Sequence, residues 1–318
     1  MQLTLIDTRS TSPNGVRWSI NPNFGQILNT LSGNSKDKAL TNQITYQGLL
    51  DGTLEMEGRP LNSFYSYKYL GLNTNNGIPI FYASQQVQDL GYQKVNFVEK
   101  YRNMELIDIF TDVMEYSGTR VPTVQGGLMH NVAWKRLSAT LNMTYSFGSK
   151  IRLLQMYPEV NTTMVSIAPQ PTVNVRREFL DRWQKPGDEK YTDVPGVVSL
   201  TDYTSTVTSL WWSGQRNAQN ESYAFASSLW KMYDQSNLRV VNGDFVKIQS
   251  LSVRYNVPDQ LCNVANIKSA YIGLSGTNLY TFCHKRLKGQ DPATQNGTAP
   301  TINMSLRPTY SFNLSVSF

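Results

Sequence analysis

The sequence predicts an all-β protein whose strands belong to a transmembrane β-barrel. Two stretches, 136–147 and 308–318, alternate strictly between apolar and small polar residues, which is the pattern of a strand with one apolar and one wet face. Charged residues make up only 16% of the chain, and aromatic residues make up 11%. Because soluble domains carry about 25% charged residues, this composition favours a sheet with an exterior in lipid and a wet interior.

The N-terminal part contains shorter and less regular strand patterns. Trp18 and Ile20 fall on one face of a predicted strand. A second predicted strand carries three tyrosines on one side, Tyr65, Tyr67 and Tyr69. Residues 95–109 have mixed periodicity, and we expect a strand there as well.

The clearest internal strand lies in residues 132–147, and its alternation is unbroken over the twelve positions 136–147. Its apolar positions are Leu137, Ala139, Leu141, Met143, Tyr145 and Phe147. The pattern is longer than the about 5–6 residues of a globular strand and reaches the about 9–11 residues of a tilted membrane strand. Residues 121–127 before it, which end in two glycines, predict a tight turn.

The stretch 148–244 predicts a long, loop-rich extracellular segment, because an irregular stretch of this length is unusual inside a soluble domain. Residues 176–183 predict a short helix that Pro186 and Gly187 end. Three tryptophans of the segment are candidates for contact with a sugar substrate or a lid protein: Trp183, Trp211 and Trp212. They are equally suited to packing the loops against their neighbours, and both alternatives stay open.

The C-terminal part predicts three strands, at 250–257, 269–282 and 308–318. A short turn, 258–268, joins the first two, and a long loop, 283–307, joins the last two. Short turns on one side and long loops on the other are typical of outer-membrane barrels. This asymmetry places the turn in the periplasm and the loop outside the cell.

The terminal strand alternates up to the last residue of the sequence. Its apolar positions are Tyr310, Phe312, Leu314, Val316 and Phe318. A C-terminal strand that ends in Phe is what an outer-membrane barrel offers to the barrel-assembly machinery, and we expect these residues to have that role. An ordinary sheet strand at the end of a soluble domain shows the same alternation.

The alternation also assigns side chains to the two faces of the sheet. The positions predicted to face lipid include Leu137, Leu141, Tyr145, Leu251, Tyr255, Leu274, Phe312 and Leu314. Arg136 and Arg254 fall among the polar positions of their strands, so we predict that they face the lumen. Arginines there either form salt bridges along the wall or contact substrate.

Composition and motifs argue against several other classes of protein. The formal net charge is +6, but the basic residues are scattered, so we expect no nucleic-acid binding. Cys262 and Cys283 lie at opposite ends of a predicted strand, and with two isolated histidines they form no metal-site pattern. No phosphate-binding glycine loop, metalloprotease motif or serine nucleophile elbow occurs, so we expect neither a cofactor nor an enzymatic activity.

Six motifs, in order along the chain, resemble the SusC/RagA family of TonB-dependent outer-membrane transporters. They are GRPLNSFYSYKYLGL at 58–72, VPTVQGGL at 121–128, LDRWQKPGD at 180–188, DFVKIQSLSVRYNVP at 244–258, SGTNLYTF at 275–282 and GQDP at 289–292. In the fourth motif, Lys247 stands where arginine is commoner in the family. Each motif alone is weak, and the resemblance rests on their order over residues 57–318.

The resemblance implies a 22-stranded barrel around an N-terminal plug, in the outer membrane of a Gram-negative bacterium. It also implies import of oligosaccharides or peptides, energised through TonB, with a SusD-like surface lipoprotein as a lid. No signal peptide, plug or TonB-contact segment is visible in the sequence. We therefore expect residues 1–318 to form the C-terminal segment of the barrel, with about eight antiparallel strands in contact with outer-membrane lipid.

Two alternatives stay open. A secreted or surface β-sandwich that binds glycans would also contain tyrosine-rich strands and loop tryptophans, and it predicts a soluble, cooperatively folding monomer. A non-functional barrel remnant would show the same motifs as a working transporter segment.

Overall fold

The main feature of the computed structural model is a seven-stranded antiparallel sheet. The structure describes residues 5–7, 15–32, 44–83, 95–156, 176–197, 216–221, 229–294, 302–304 and 306–318. In sheet order the strands are β1 (Leu5–Asp7), β2 (Val16–Gln26), β7 (Val124–Trp134), β8 (Leu137–Phe147), β11 (Phe245–Asn256), β12 (Ser269–Cys283) and β13 (Thr309–Ser317). The predicted all-β class is confirmed, with seven strands in the main sheet where about eight were expected.

Tight connections hold neighbouring strands in register at one end of the sheet, which we call the hairpin end. A two-residue turn, Lys135-Arg136, joins β7 to β8, and Lys135 has a φ of 51° as such turns require. A short connection containing helix α5 (Asp259–Val264) joins β11 to β12. The strands predicted at 136–147, 250–257, 269–282 and 308–318 are thus confirmed as β8, β11, β12 and β13, and the turn predicted at 258–268 joins two of them.

A β-bulge in β11 keeps its apolar residues on one side of the sheet. The pairing shifts between Ile248 and Ser250, where Gln249 is an extra residue of β11 relative to β8. At the same place β12 has one residue more than β11, between Thr277 and Tyr280. Without the bulge, Ile248 and Leu251 would point to opposite faces, because side chains alternate along a strand. The bulge therefore restores the alternation that a simple period of two would lose.

Strand β7 corrects the prediction of a tight turn over residues 121–127. Gly126 and Gly127 are paired strand residues, with β2 on one side and β8 on the other. A Cβ at Gly126 would overlap the carbonyl oxygen of Asn23 and lie 2.6 Å from the hydroxyl oxygen of Tyr145. The glycine thus serves a close approach within the sheet, and the turn prediction is wrong.

A second region, the lobe, packs at the opposite end of the strands and comprises residues 44–83, 95–119, 150–156, 176–197 and 229–242. Its strands form three ribbons: β3 (Ser63–Tyr67) with β6 (Met114–Thr119), β4 (Tyr69–Leu72) with β5 (Pro79–Phe81), and β9 (Lys150–Arg152) with β10 (Val240–Asn242). Its helices are α1 (Tyr46–Asp51), α2 (Phe97–Tyr101), α3 (Leu106–Val113) and α4 (Leu229–Asp234). We call this end of the sheet the lobe end.

The largest buried hydrophobic cluster of the described residues lies in the lobe and not in the sheet. Tyr65 and Tyr67 share β3 and belong to this cluster, whereas Tyr69 begins the next strand. The predicted loop-rich segment 148–244 supplies six members: Met156, Phe179, Leu229, Trp230, Met232 and Tyr233. Its described parts contain only short elements, yet they fold into a packed core.

The strand expected at residues 95–109 is wrong, because helices α2 and α3 occupy this range. Leu106, Ile109, Phe110 and Val113 follow the three- and four-residue spacing of a helix, and the last three are buried in the lobe. Asn96 caps α2 with its side chain, which accepts a hydrogen bond from the Glu99 amide. Part of the predicted range thus has the spacing of a helix, while other apolar residues in it do not follow that spacing. Together they gave the mixed periodicity.

Buried polar contacts hold distant segments of the lobe together, and a further hydrogen bond joins two strands of the sheet at the lobe end. The guanidinium of Arg152 donates hydrogen bonds to the carbonyl oxygens of Leu50 (2.9 Å) and Tyr65 (2.8 Å). Burial lowers the pKa of Arg152 to about 10, so the side chain remains charged at neutral pH. The amide of Gly148, just after β8, donates to Asp244, just before β11 (2.7 Å).

Across the described ranges, no helix has the length and apolarity needed to cross a membrane.

Candidate functional site

The strand register brings apolar side chains into rows across the sheet. One row runs from Trp134 through Leu137 and Tyr255 to Ile272 and Leu314, all of which are exposed. Residues directly opposite in an antiparallel sheet lie on the same face. The next row contains Trp18, Val132, Ala139, Val253, Leu274 and Phe312. We call this surface, which extends over β2, β7, β8, β11, β12 and β13, the apolar face.

All eight positions predicted to face lipid lie on the apolar face. Leu141 and Leu251 are paired in a third row, and Tyr145 lies nearer to the lobe. The side chains are strongly exposed towards β13, where Leu274 is 61% and Phe312 65% accessible. Soluble proteins rarely expose so large a contiguous apolar surface, so this face requires a cover.

Aromatic side chains lie near both ends of the apolar face. Trp18, Trp134 and Tyr255 are close to the hairpin end. Near the lobe, Tyr145 stacks on Phe147 with ring centroids 5.6 Å apart. On β12, Tyr280 and Phe282 make an edge contact at 4.7 Å. Bands of aromatic residues at both ends of an apolar surface are typical of barrels that cross a membrane.

The opposite surface, the polar face, is lined by serine, threonine and asparagine. Thr140 donates a hydrogen bond to Asn131 (2.9 Å), and Asn142 donates to Ser250 (2.8 Å). Asn131 in turn donates to Ser19 (3.4 Å). These bonds connect β2, β7, β8 and β11 through uncharged side chains, which gives a hydrated surface with few fixed charges.

Arg254 lies on the polar face, as the alternation predicts. It pairs with Ser138 on one side and with Gly273 on the other. Its guanidinium carbon is 3.7 Å from the centroid of the Tyr271 ring, and its Nε donates to Asn256 at 3.0 Å. The side chain is thus held on the wall by a cation–π contact while it remains exposed to solvent. That this surface is a lumen stays a prediction.

Arg136 lies elsewhere than predicted. It is the second residue of the β7–β8 turn and not a strand residue. Its guanidinium donates to the carbonyl oxygen of Val257 (3.0 Å) and lies 3.5 Å from the carboxylate of Asp259. Arg136 therefore connects two adjacent turns at the hairpin end, and its assignment to the polar face of a strand is wrong.

A buried ion pair at the lobe end of the polar face was not apparent from the sequence pattern. The ammonium of Lys247 lies 3.5 Å from a carboxylate oxygen of Asp291, and both residues are buried. The other carboxylate oxygen of Asp291 accepts a hydrogen bond from the Ala293 amide (2.9 Å). Lys247 occupies a polar position of β11, but nothing in the periodicity of 283–307 marks Asp291 as its partner.

Trp183 packs inside the lobe and is not available as a surface platform for a sugar or a lid protein. It is 7% accessible, and its indole nitrogen donates to Glu189 (3.3 Å). Its ring lies in a cradle formed by Gly77 and Gly196, whose own backbones are joined by a hydrogen bond of 3.0 Å. The packing alternative holds for this residue. Trp211 and Trp212 lie outside the described residues.

The C-terminal strand β13 pairs with β12 over Thr309–Ser317. Tyr310, Phe312, Leu314 and Val316 are exposed on the apolar face, and Phe318 follows the strand. Within the described part of the chain, no strand pairs with the other edge of β13. An unpaired strand edge is a template for another strand, which fits the role predicted for this segment in assembly. The role itself stays a prediction.

The described residues offer no group of three or more histidine, cysteine or carboxylate side chains that could hold a metal ion. No family model matches the chain, and no curated protein matches it.

Three solved structures are similar to the chain over its full length, each at 19% sequence identity. They are the RagAB peptide importer in its open-open state (TM-score 0.58) and in its closed-closed state (TM-score 0.57), and the RagAB peptide transporter (TM-score 0.59). Each match covers 100% of this chain but only 28% or 29% of the other chain. The sheet and lobe therefore have the fold of part of a larger importer chain, and the chain spans less than a third of the chains it matches.

Proposed function

We propose that the chain is a membrane-spanning part of a SusC/RagA-type outer-membrane importer, located in the outer membrane of a Gram-negative bacterium. The observation that carries this proposal is the continuous apolar face across six long strands, with an aromatic band near each end. The fold shared with RagAB chains supports it. The ordered sequence motifs also support it, because they lie in strands and loops of the fold that the chain shares with the RagAB chains.

The length of the strands matches the thickness of a membrane. Strand β7 has 11 residues. At about 3.4 Å per residue and a tilt of about 45°, its 10 steps rise about 24 Å, close to the about 25 Å apolar band of membrane barrels. Strands β8, β11 and β12 have 11, 12 and 15 residues. Globular strands of about 5–6 residues would not reach across.

In this proposal the polar face lines the lumen, and Arg254 is available there to solutes. The hairpin end lies in the periplasm and the lobe outside the cell, in agreement with short turns at one end and long connections at the other. The exposed edge of β13, with Tyr310 to Phe318, serves recognition by the barrel-assembly machinery.

The transport activity belongs to the complete importer. We propose that it takes up peptides or oligosaccharides, is energised through TonB and acts with a SusD-like surface lipoprotein. The RagAB structures with the same fold are those of a peptide importer. The residues described here would supply part of the barrel wall and of the external lobe.

The apolar face argues against a soluble glycan-binding β-sandwich. A sandwich covers that face with a second sheet about 10 Å away. Among the described residues, the other sheets are two-stranded ribbons, and residues such as Leu274 and Phe312 remain exposed. A face of this kind needs lipid or detergent.

Brominated detergent tests the proposal directly. Bromine quenches tryptophan fluorescence on contact, and Trp18 and Trp134 are exposed on the apolar face whereas Trp183 and Trp230 are buried in the lobe. We expect the purified chain to lose fluorescence when brominated dodecyl maltoside replaces the plain detergent. A variant with Trp18→Phe and Trp134→Phe should lose most of this quenching. Equal fluorescence of the unmodified chain in both detergents would contradict the proposal.

A further inference from the structure

A basic cavity lies where the lobe meets the loop that follows β12. Its volume is about 660 Å³, within the about 300–1,000 Å³ of ligand pockets. Met156 and Val194 give it an apolar part. Five cationic side chains line it: Arg176, Arg177, Lys285, Arg286 and Lys288.

Two carboxylates in the lining leave the cavity with a formal charge of +3. One of them, Glu178, is already engaged, because it accepts a hydrogen bond from Arg239 (2.9 Å) and lies 3.5 Å from Arg176. Burial raises the pKa of Glu178, but the bond from Arg239 and the nearby arginines outweigh it, so the pKa is lowered overall. The other, Asp181, is exposed. Arg177, Lys285 and Lys288 are exposed and available to a ligand.

The two segments that carry the cations are anchored in hydrophobic clusters. The 3-10 helix Arg177–Asp181 is fixed by Phe179, which is buried in the main cluster of the lobe. The loop after β12 is fixed by Leu287, which is buried in a second cluster with Ile151 and Val241. Arg286 donates a hydrogen bond to the carbonyl oxygen of Leu238 (3.1 Å). The cations therefore converge because of the fold and not through chance proximity of free surface chains.

We propose that this cavity binds the carboxylate groups of acidic peptides at the external side of the importer. The inference rests on the proposed function and deepens it by naming a class of substrate. Arginine and lysine form charge-assisted hydrogen bonds to carboxylates, and the apolar part of the cavity accommodates the methylene groups that carry them. Asp181 adds a single negative charge. This charge is too small to offset the repulsion between a cationic peptide and the five positive charges of the cavity.

Fluorescence anisotropy tests this with the full chain in detergent. The probes are a labelled peptide of alternating glutamate and alanine and its analogue with glutamine in place of glutamate. We expect the acidic peptide to bind more tightly, and Arg177→Gln with Lys288→Gln to weaken its binding about tenfold. The matched control is Lys185→Gln with Lys190→Gln, which removes two exposed lysines of the lobe outside the cavity lining. This control should leave binding unchanged.

A substitution of opposite sign strengthens the test. Asp181→Asn removes a repulsive charge, and we expect it to tighten binding of the acidic peptide about twofold to threefold. The inference is overturned if the acidic and glutamine peptides bind equally, if the control variant weakens binding as much as the cavity variant, or if oligogalacturonate, an acidic sugar, binds more tightly than the peptide. In each of these cases the quenching by brominated detergent is unaffected, so failure of the inference is distinguishable from failure of the proposed function.

Discussion

The hydroxyl of Tyr145 on β8 donates a hydrogen bond to the carbonyl oxygen of Asn23 on β2, 2.9 Å away, although β7 separates the two strands. The bond passes over Gly126, which is the residue of β7 paired with Tyr145. The tyrosine thus covers the gap left by the missing side chain. Aromatic residues placed over a strand glycine in this way help to hold the register of a sheet.

Substitution of Gly126 should disrupt this arrangement. The Cβ of Gly126→Ala would overlap the Asn23 carbonyl and approach the Tyr145 hydroxyl, and overpacking of this kind costs about 1–3 kcal/mol. Denaturant unfolding in detergent, followed by tryptophan fluorescence, measures the loss. The matched control is Gly25→Ala, whose Cβ would meet only an oxygen of Gln125 at 3.8 Å. Equal stability of the two variants would show that β7 does not approach β2 as described.

Gly77 provides a second test, in the lobe. It has a φ of 67°, and a Cβ there would lie 2.5 Å from Cδ2 of Trp183. We expect Gly77→Ala to lower the melting temperature of the lobe and to shift the Trp183 emission to longer wavelength as the ring leaves its cradle. Gly187→Ala is the control, because Gly187 also has a positive φ (102°) but no atom within 4 Å of its Cβ position. The difference between them should be about 1–3 kcal/mol. A larger loss in the Gly187 variant would contradict the burial of Trp183.

Asp112 makes the stability of the lobe dependent on pH. Burial raises its pKa, but hydrogen bonds from Lys100 (2.5 Å) and Tyr101 (2.6 Å) outweigh this effect and lower the pKa overall. A carboxyl whose pKa is lower in the folded state stabilises that state above its unfolded pKa of about 3.9, and the contribution is lost as the pH falls through the folded value.

Thermal unfolding between pH 7 and pH 3 measures this contribution. We expect Asp112→Asn to be less stable at pH 7 by about 1 kcal/mol, since the pair with Lys100 is partly exposed. Below pH 4 the difference between the variant and the unmodified chain should shrink. A difference that stays constant over the whole range would mean that the carboxylate charge of Asp112 does not stabilise the lobe.

The long strands of the sheet could be predicted from the sequence because successive side chains point to opposite faces. The polarity of each side chain therefore follows the environment of its face. The alternation over residues 137–147 and 310–318 therefore predicted both the position of each strand and its apolar face. Strand β7 was not predicted because Gly126 and His130 interrupt its apolar positions. The reason for Gly126 lies in the neighbouring strands β2 and β8, which approach it closely. Similarly, the bulge at Gln249 is defined only by the pairing of β11 with β8.

The lobe could not be predicted in the same way, because its elements are short and its contacts join distant parts of the chain. Arg152 is buried through carbonyl groups of residues 50 and 65, and Lys247 through Asp291. No local pattern marks such partners. The helical spacing of Leu106, Ile109, Phe110 and Val113 was available as a signal, but it competed with an apolar run that also fits a strand. Of the predicted site residues, Arg254 follows the alternation, whereas Arg136 lies at a turn that the alternation alone does not locate.

The central claim is that one face of the sheet contacts lipid and the other contacts water. Spin labels placed singly at residues 138–145 of β8, in a chain in which Cys262 and Cys283 are replaced by serine, test it most directly. In detergent, we predict that collisions with oxygen are frequent at Ala139, Leu141, Met143 and Tyr145, and that collisions with a water-soluble nickel complex are frequent at Ser138, Thr140, Asn142 and Thr144. Low access of both reagents at the apolar positions, or access without a period of two, would contradict the account.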